Sequence, residues 1–262
     1  MEIRLFPNLN RPDVGMKPRR EPQRPLLPQH ARHCPVLEAG SALGYLVYPA
    51  LKERESFHIE YQGDGRYRFT FFLNRGSWQP LFTATLTLPV GSIGMMKEEV
   101  AFMDQKPPMS RDQALHLVRA LIVPEDFGTP PGAVALRGAN NFQTPEGWDT
   151  VYAPVFNMID RPVAPMLVVR VETDWYAHLT EFRYVLQPGE GIPGSHNMPV
   201  GQVFFVPREE MSMRDCTENE VKKIHQSISE FIENKAKENQ ETPLGLTYSP
   251  YYVHHSEGSK KT

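Results

Sequence analysis

Ser56-Phe57-His58-Ile59-Glu60-Tyr61-Gln62-Gly63-Asp64-Gly65-Arg66-Tyr67-Arg68-Phe69-Thr70-Phe71-Phe72-Leu73 is the stretch that decides the fold class. Two runs rich in aromatic residues, 56–61 and 67–73, flank an Asp-Gly pair. Asp-Gly supplies the positive φ angles that a tight hairpin turn needs, so the runs read as paired antiparallel strands. Working outward, Gly44 to Tyr48 is a short strand before them, and Leu81-Phe82-Thr83-Ala84-Thr85-Leu86-Thr87-Leu88 alternates cleanly after them. Beyond lie Ala133 to Leu136, Trp148 to Phe156, Met166 to Thr173, Thr180 to Leu186 and Gly201 to Pro207, with Pro, Gly and Asn between. Short strands at such intervals, not alternating with helices, point to a mainly β fold: an antiparallel sandwich or a β-clip-like barrel.

Two segments break the pattern. Ser110 to Val123 reads as one internal helix, with Ser110 as N-cap, Asp112 in the first turn, Ala114, Leu117, Val118 and Leu121 on one face, and Pro124 as its stop. Thr217-Glu218-Asn219-Glu220 is a capping box, followed by Val221, Ile224, Ile228, Phe231, Ile232 and Lys235 at helical spacing. That apolar stripe is expected to be buried by docking on the β domain. The chain therefore divides into an N-terminal extended arm (1–35), a β-rich core domain (36–210), a C-terminal helix (211–240) and a polar tail (241–262) holding an aromatic island and a basic finish at Lys260 and Lys261. Arg19, Arg20 and Arg24 make the arm a candidate partner-binding segment; the simpler expectation is an arm lying along the domain surface.

Proline, at 25 of 262 residues, is spread along the chain and favours short strands joined by ordered loops. A net charge of −3 argues against a generalised nucleic-acid or anionic-membrane binder, which needs a basic face to release counterions. Cys34 and Cys216, far apart in a large chain, suit free thiols in a reducing compartment. The opening Met-Glu-Ile-Arg-Leu-Phe-Pro has no basic region leading into an apolar core, and no stretch approaches the ~20 apolar residues of a bilayer-crossing helix. The expected location is cytoplasmic.

Val171-Glu172-Thr173-Asp174-Trp175-Tyr176 holds the acidic pair of greatest chemical interest. Strand periodicity puts Glu172 and Asp174 on one face, after the apolar run Met166-Leu167-Val168-Val169 and beside two aromatics. Carboxylates so placed suit a general base or a polar-ligand site, and in a pocket at least one should have a raised pKa. Glu172 and Asp174 are thus candidate catalytic residues, with Trp175, Trp148 and His196 as candidate ligand contacts. The plainer alternative has Trp175 in the core, Trp78 and Trp148 packing core or turns, and the carboxylates satisfying turn amides or an arginine such as Arg170 or Arg183.

His58 and Glu60, two apart on a strand, could join His196 in a two-histidine-one-carboxylate set of the kind that holds Fe(II) in non-haem oxygenases. A His-x-Glu pair equally describes a solvated polar face, so no cofactor is expected and Fe(II) stands as the alternative. His30 and His33 near Cys34 lack the remaining ligands of a zinc site. Cys216, before a helix N-terminus, has a setting that lowers a thiol pKa, but reads first as a spectator; His254-His255 reads as part of a polar end.

Several short segments resemble an uncharacterised family of bacterial and tailed-phage proteins, including cyanophage proteins, described only as a domain of unknown function. They are Phe6-Pro7-Asn8-Leu9, Cys34-Pro35-x-x-Glu38-Ala39 with Gly44-Tyr45, Thr144-Pro145-x-Gly147-Trp148, Val171-Glu172-Thr173-Asp174-Trp175, Gly191-Ile192-Pro193, and Val200-Gly201-Gln202-Val203 leading to Val206-Pro207-Arg208-Glu209. A more distant resemblance is to the β-clip fold of dUTPases and dCTP deaminases, in the order Thr-Pro-x-Gly, acidic strand end, Pro-x-Gly-Gln-Val. That resemblance implies Glu172 as a water-activating base. The chain departs from it at Ala153-Pro154-Val155-Phe156-Asn157, which offers neither the guanidinium nor the hydroxyl of a phosphate-binding Pro-Arg-Ser element, and it lacks the Gly-rich C-terminal phosphate-closing segment. The likeness therefore bears on fold and not on nucleotide hydrolysis.

Strong strand patterning without a convergent catalytic motif gives the expectation of a binding or assembly protein, phage-associated and oligomeric, or in contact with a protein partner, through arm and tail. The alternative is an enzyme, either an Fe(II) oxygenase using His58, Glu60 and His196 or a carboxylate-dependent hydrolase using Glu172.

Overall fold

The computed structural model describes residues 2–22, 34–88, 97–124, 130–158, 165–241, 245, 247–252, 254 and 255. Arg24, His30, His33, Lys260 and Lys261 lie outside them. The chain forms two compact units, one of residues 1–33 and 37–208, the other of 34–36 and 209–262.

In chain order the strands are β1 (Arg4–Pro7), β2 (Tyr45–Val47), β3 (Glu55–Gly63), β4 (Arg66–Asn74), β5 (Trp78–Thr87), β6 (Lys97–Phe102), β7 (Ile122–Pro124), β8 (Ala133–Arg137), β9 (Asn140–Gln143), β10 (Trp148–Ala153), β11 (Met166–Leu167), β12 (Val169–Val171), β13 (Glu181–Val185), β14 (Gly191–Ser195), β15 (Gly201–Pro207), β16 (Gln240–Glu241) and β17 (Thr247–Tyr248). The helices are α1 (Pro35–Ser41), α2 (Arg111–Leu121) and α3 (Glu218–Lys237).

The first unit holds a five-stranded sheet in the order β14-β3-β4-β5-β6, four-stranded sheets β12-β10-β15-β2 and β11-β13-β8-β7, and the pair β1-β9. Every pairing is antiparallel. Among the described residues no sheet closes into a barrel, so the fold is a mainly β, sandwich-like one.

The quoted stretch forms as its pattern dictates. Phe57, Ile59 and Tyr61 point into the core from β3, and Tyr67, Phe69 and Phe71 face them from β4. Phe57 stacks on Phe69 at 5.5 Å between ring centroids, and Phe71 on Phe82 of β5 at 5.6 Å. The turn residues Asp64 and Gly65 have φ of 51° and 70°, the left-handed pair that a two-residue hairpin needs. Phe57 and Phe82, Tyr152 and Val203, Phe182 and Leu136, and Val118 of α2 belong to one continuous core fed by the three larger sheets.

Three strands carry no clear pattern. β6 reads Lys-Glu-Glu-Val-Ala-Phe, an edge strand whose Lys97 and Glu99 face water while Glu98 pairs with Arg119 of α2, and β14 contains Gly191, Pro193 and Gly194. Proline fits in β14 because that strand is also an edge, where a missing donor breaks no ladder. Polar β9 forms because β1 pairs with it. α2 has its Ser110 capping box with Gln113 but ends at Leu121, before Pro124. β-Branched Ile122 and Val123 leave the helix to pair with Leu136 and Ala135. Met166 to Thr173, expected as one strand, divides into β11 and β12, which join different sheets.

The described part of the arm, residues 2–22, is stitched to the core. Asn8 is buried and its amide donates to the carbonyls of Ala120 and Gly138, each at 2.9 Å. Arg11 makes a bidentate pair with Glu55 at 2.9 and 3.0 Å, Arg19 donates to the Tyr48 hydroxyl at 2.8 Å, and the Arg20 guanidinium lies 5.0 Å from the Tyr45 ring. The two described arginines offered above for a partner are thus engaged within the chain.

In the second unit Thr217 and Glu220 form the expected capping box, and Arg214 pairs with Glu220 at 2.6 Å. That hydrogen-bonded guanidinium, aided by Thr217, holds the Glu220 carboxyl at about 2. Within its own unit none of the α3 residues is buried. Cys34 and Cys216 are both free thiols. Among the described residues no helix is long and apolar enough to cross a membrane.

Phe69 has no exposed surface and touches aromatics on both neighbouring strands. Phe69→Ala is expected to lower the stability of the first unit by about 3 to 5 kcal/mol, the range for a truncated core phenylalanine, in urea unfolding followed by far-UV circular dichroism.

Candidate functional site

At the end of β12 the chain turns through residues 172–176, and segments distant in sequence meet there. Beneath the turn is a ladder of hydroxyls: buried Thr173 contacts Thr150 of β10 at 2.6 Å and Thr144 at 2.9 Å, and Thr144 donates to the Trp148 carbonyl at 2.6 Å. A threonine suits this place, since its methyl packs while its hydroxyl both donates and accepts.

Beside the ladder lies a charged network centred on Asp149 of β10, whose side chain is 3% exposed. Arg170 of β12 donates from Nε to one Asp149 oxygen at 2.6 Å. Arg208, just past β15, donates to the other from Nε at 2.9 Å and Nη2 at 2.7 Å. The same Nη2 reaches Asp174 at 2.7 Å. Asp174 also accepts from the backbone N–H groups of Gly147 and Trp175, each at 3.0 Å.

Hydrogen bonds from Arg208 and Arg170 hold the Asp149 carboxyl below its ordinary value against the opposing effect of burial, and Arg208 with the Gly147 amide does the same for Asp174. Asp149 is screened from water by its two guanidinium groups and not by depth, for Arg170 and Arg208 are themselves 49% and 36% exposed. The raised pKa expected of one carboxylate in the 172/174 pair does not arise at Asp174, where an arginine stabilises the charge; the turn amides and an arginine are satisfied instead, the arginine being Arg208.

Glu172 plays a different part. It is 48% exposed, lies 4.0 Å from Arg208, and accepts a hydrogen bond from the indole N–H of Trp175. Trp175 is 70% exposed, against the alternative that placed it in the core, and Tyr176 is 50% exposed with its ring 5.8 Å from the indole. Tyr176 also stacks on His178, which sits edge-on to buried Tyr152. Upstream, Leu167 and Val168 are exposed at 39% and 63%, and among the described residues β12 is the edge of its sheet.

Trp148 borders the ladder through its carbonyl, and the other candidates lie on or just after strands of the five-stranded sheet. Trp148 opens β10, half-buried and opposite Pro207. His196 follows β14, and among the described residues no hydrogen bond or ion pair joins it to Glu172 or Asp174. His58 faces Thr70 and Pro193 across its strand pairs, packs over Gly191, and has its pKa lowered chiefly by burial. Glu60 is ion-paired with Arg68 at 2.7 Å. Among the described residues no three His, Cys, Asp or Glu side chains form a group able to hold a metal.

Asp149 and Thr150 carry no sequence signal of their own, whereas Arg208, Gly147, Thr144 and Thr173 all fall within the short segments that carried the resemblance. No family model, curated protein or solved structure matches the chain.

Because Asp149 and Asp174 have folded-state pKa values below their unfolded ones, the stability they contribute is complete above the unfolded carboxylate pKa of about 4 and is lost as pH falls through the folded values. Asp149→Asn should flatten that acid limb in unfolding experiments run from pH 7 down to about 2. At neutral pH Asp149→Ala should cost about 1 to 2 kcal/mol, less than a deeply buried pair, since both arginines stay solvated.

Proposed function

We propose that this chain is a binding protein, acting in assembly and not in catalysis, which takes up an extended segment of a partner protein along β12 with Trp175 as its anchor. The observation that carries the proposal is an indole 70% exposed yet fixed by its own hydrogen bond to Glu172. A large aromatic held in place before contact loses little freedom on binding, which is why tryptophan is enriched among the residues that dominate interfaces. An edge strand offers unpaired backbone groups to an added strand, and Leu167 and Val168 supply apolar contact beside it.

In this role Glu172 and Asp174 position the turn, and the hydrolase alternative has less to draw on, because Asp174 is held by an arginine and two amides. The resemblance to tailed-phage proteins and the two free thiols favour a phage-associated, cytoplasmic setting.

The test is selection of a displayed library of random extended peptides on immobilised native protein, with each recovered peptide measured against variants by fluorescence anisotropy. Peptides are expected whose affinity falls at least tenfold on Trp175→Ala and on Val168→Lys. Equal binding to all three proteins, or no enrichment, would overturn the proposal.

A further inference from the structure

Along α3, Val221, Ile224, Ile228 and Phe231 recur at alternating intervals of three and four, and Lys235 continues the series. That is the spacing by which a two-helix coiled coil forms its seam, each such residue entering a hole on a facing helix. The four apolar residues are 39%, 48%, 52% and 39% exposed, and Phe231 already leans on the Tyr251 ring at 5.2 Å. An isolated helix of this length is marginal in water, because helices in proteins are stabilised mainly by packing an apolar face.

We infer that the seam is covered by α3 of a second copy of this chain, running antiparallel. The charges choose both occupant and direction. The first turn carries Glu218 and Glu220, the last carries Lys235 and Lys237. A parallel pair sets Lys235 against itself and gathers the acidic turns at one end. An antiparallel pair sets Val221 opposite Phe231 and Ile224 opposite Ile228, a large side chain beside a small one in the outer layers. It also brings Lys235 over the acidic first turn of the other helix, and the two helix dipoles then oppose favourably. The inference concerns the second unit alone and does not rest on the surface at 167–176.

Sedimentation velocity on the full chain, from about 1 to about 100 μM as suits a small interface, should show a monomer–dimer equilibrium. Ile228→Asp should abolish it, and Trp175→Ala should leave it unchanged. Direction is read by mild oxidation in a Cys34→Ser background. Cys216 precedes the helix, so an antiparallel pair places it beside the seam position Lys235 of the second copy, while the two positions within one chain stand about 30 Å apart along the axis. Adding Lys235→Cys should therefore yield a covalent dimer that Cys34→Ser alone does not. A monomer at every concentration, a dimer indifferent to Ile228→Asp, or equally fast crosslinking through Cys216 alone would overturn the inference.

Discussion

Each oxygen of the Asp149 carboxylate is claimed by a different arginine, one from β12 and one from the end of β15, so a single side chain on β10 ties together the strands on either side of it. The second arginine does not stop there. Its Nη2 also holds Asp174, and through Asp174 the amides of Gly147 and Trp175 are drawn into the same network. An exposed turn of five residues would otherwise sample many conformations. Here it is fixed from below by Thr173 and from the side by charge, and the indole it displays is fixed in turn by Glu172.

This arrangement divides two neighbouring carboxylates by role. Asp174, with its side chain 8% exposed, is consumed by structure, and the arginine beside it keeps it ionised. Glu172, about half exposed, orients an aromatic. A general base needs a carboxylate whose proton affinity has been raised toward neutrality, whereas an arginine at hydrogen-bonding distance acts in the opposite sense. The proposed binding role rests on this division of the two carboxylates.

The fold was legible wherever one face of a strand is apolar. Phe57, Ile59 and Tyr61 against Tyr67, Phe69 and Phe71, with Asp64-Gly65 between, specify both hairpin and core, and the N-cap at Ser110 and the capping box at Thr217 mark helix starts. Illegible were strands whose existence depends on a distant partner, such as polar β9, and the point where α2 gives way to β7, decided by pairing with β8. The site was half legible. Strand periodicity and the apolar run singled out Glu172, Asp174 and Trp175, but the sign of the environment could not be read. It depends on Arg208, 34 residues beyond Asp174, and on Asp149, whose own segment looks like an ordinary strand.

The most direct measurement of whether the Asp149 network holds the aromatic turn in place is ¹⁵N relaxation of the Trp175 indole N–H, in the native chain and in Asp149→Asn. A restrained indole in the native protein, with an order parameter near the roughly 0.85 of rigid backbone, that falls below about 0.6 in the variant is the expected result. An indole already mobile in the native protein, or one equally rigid in both, would contradict it.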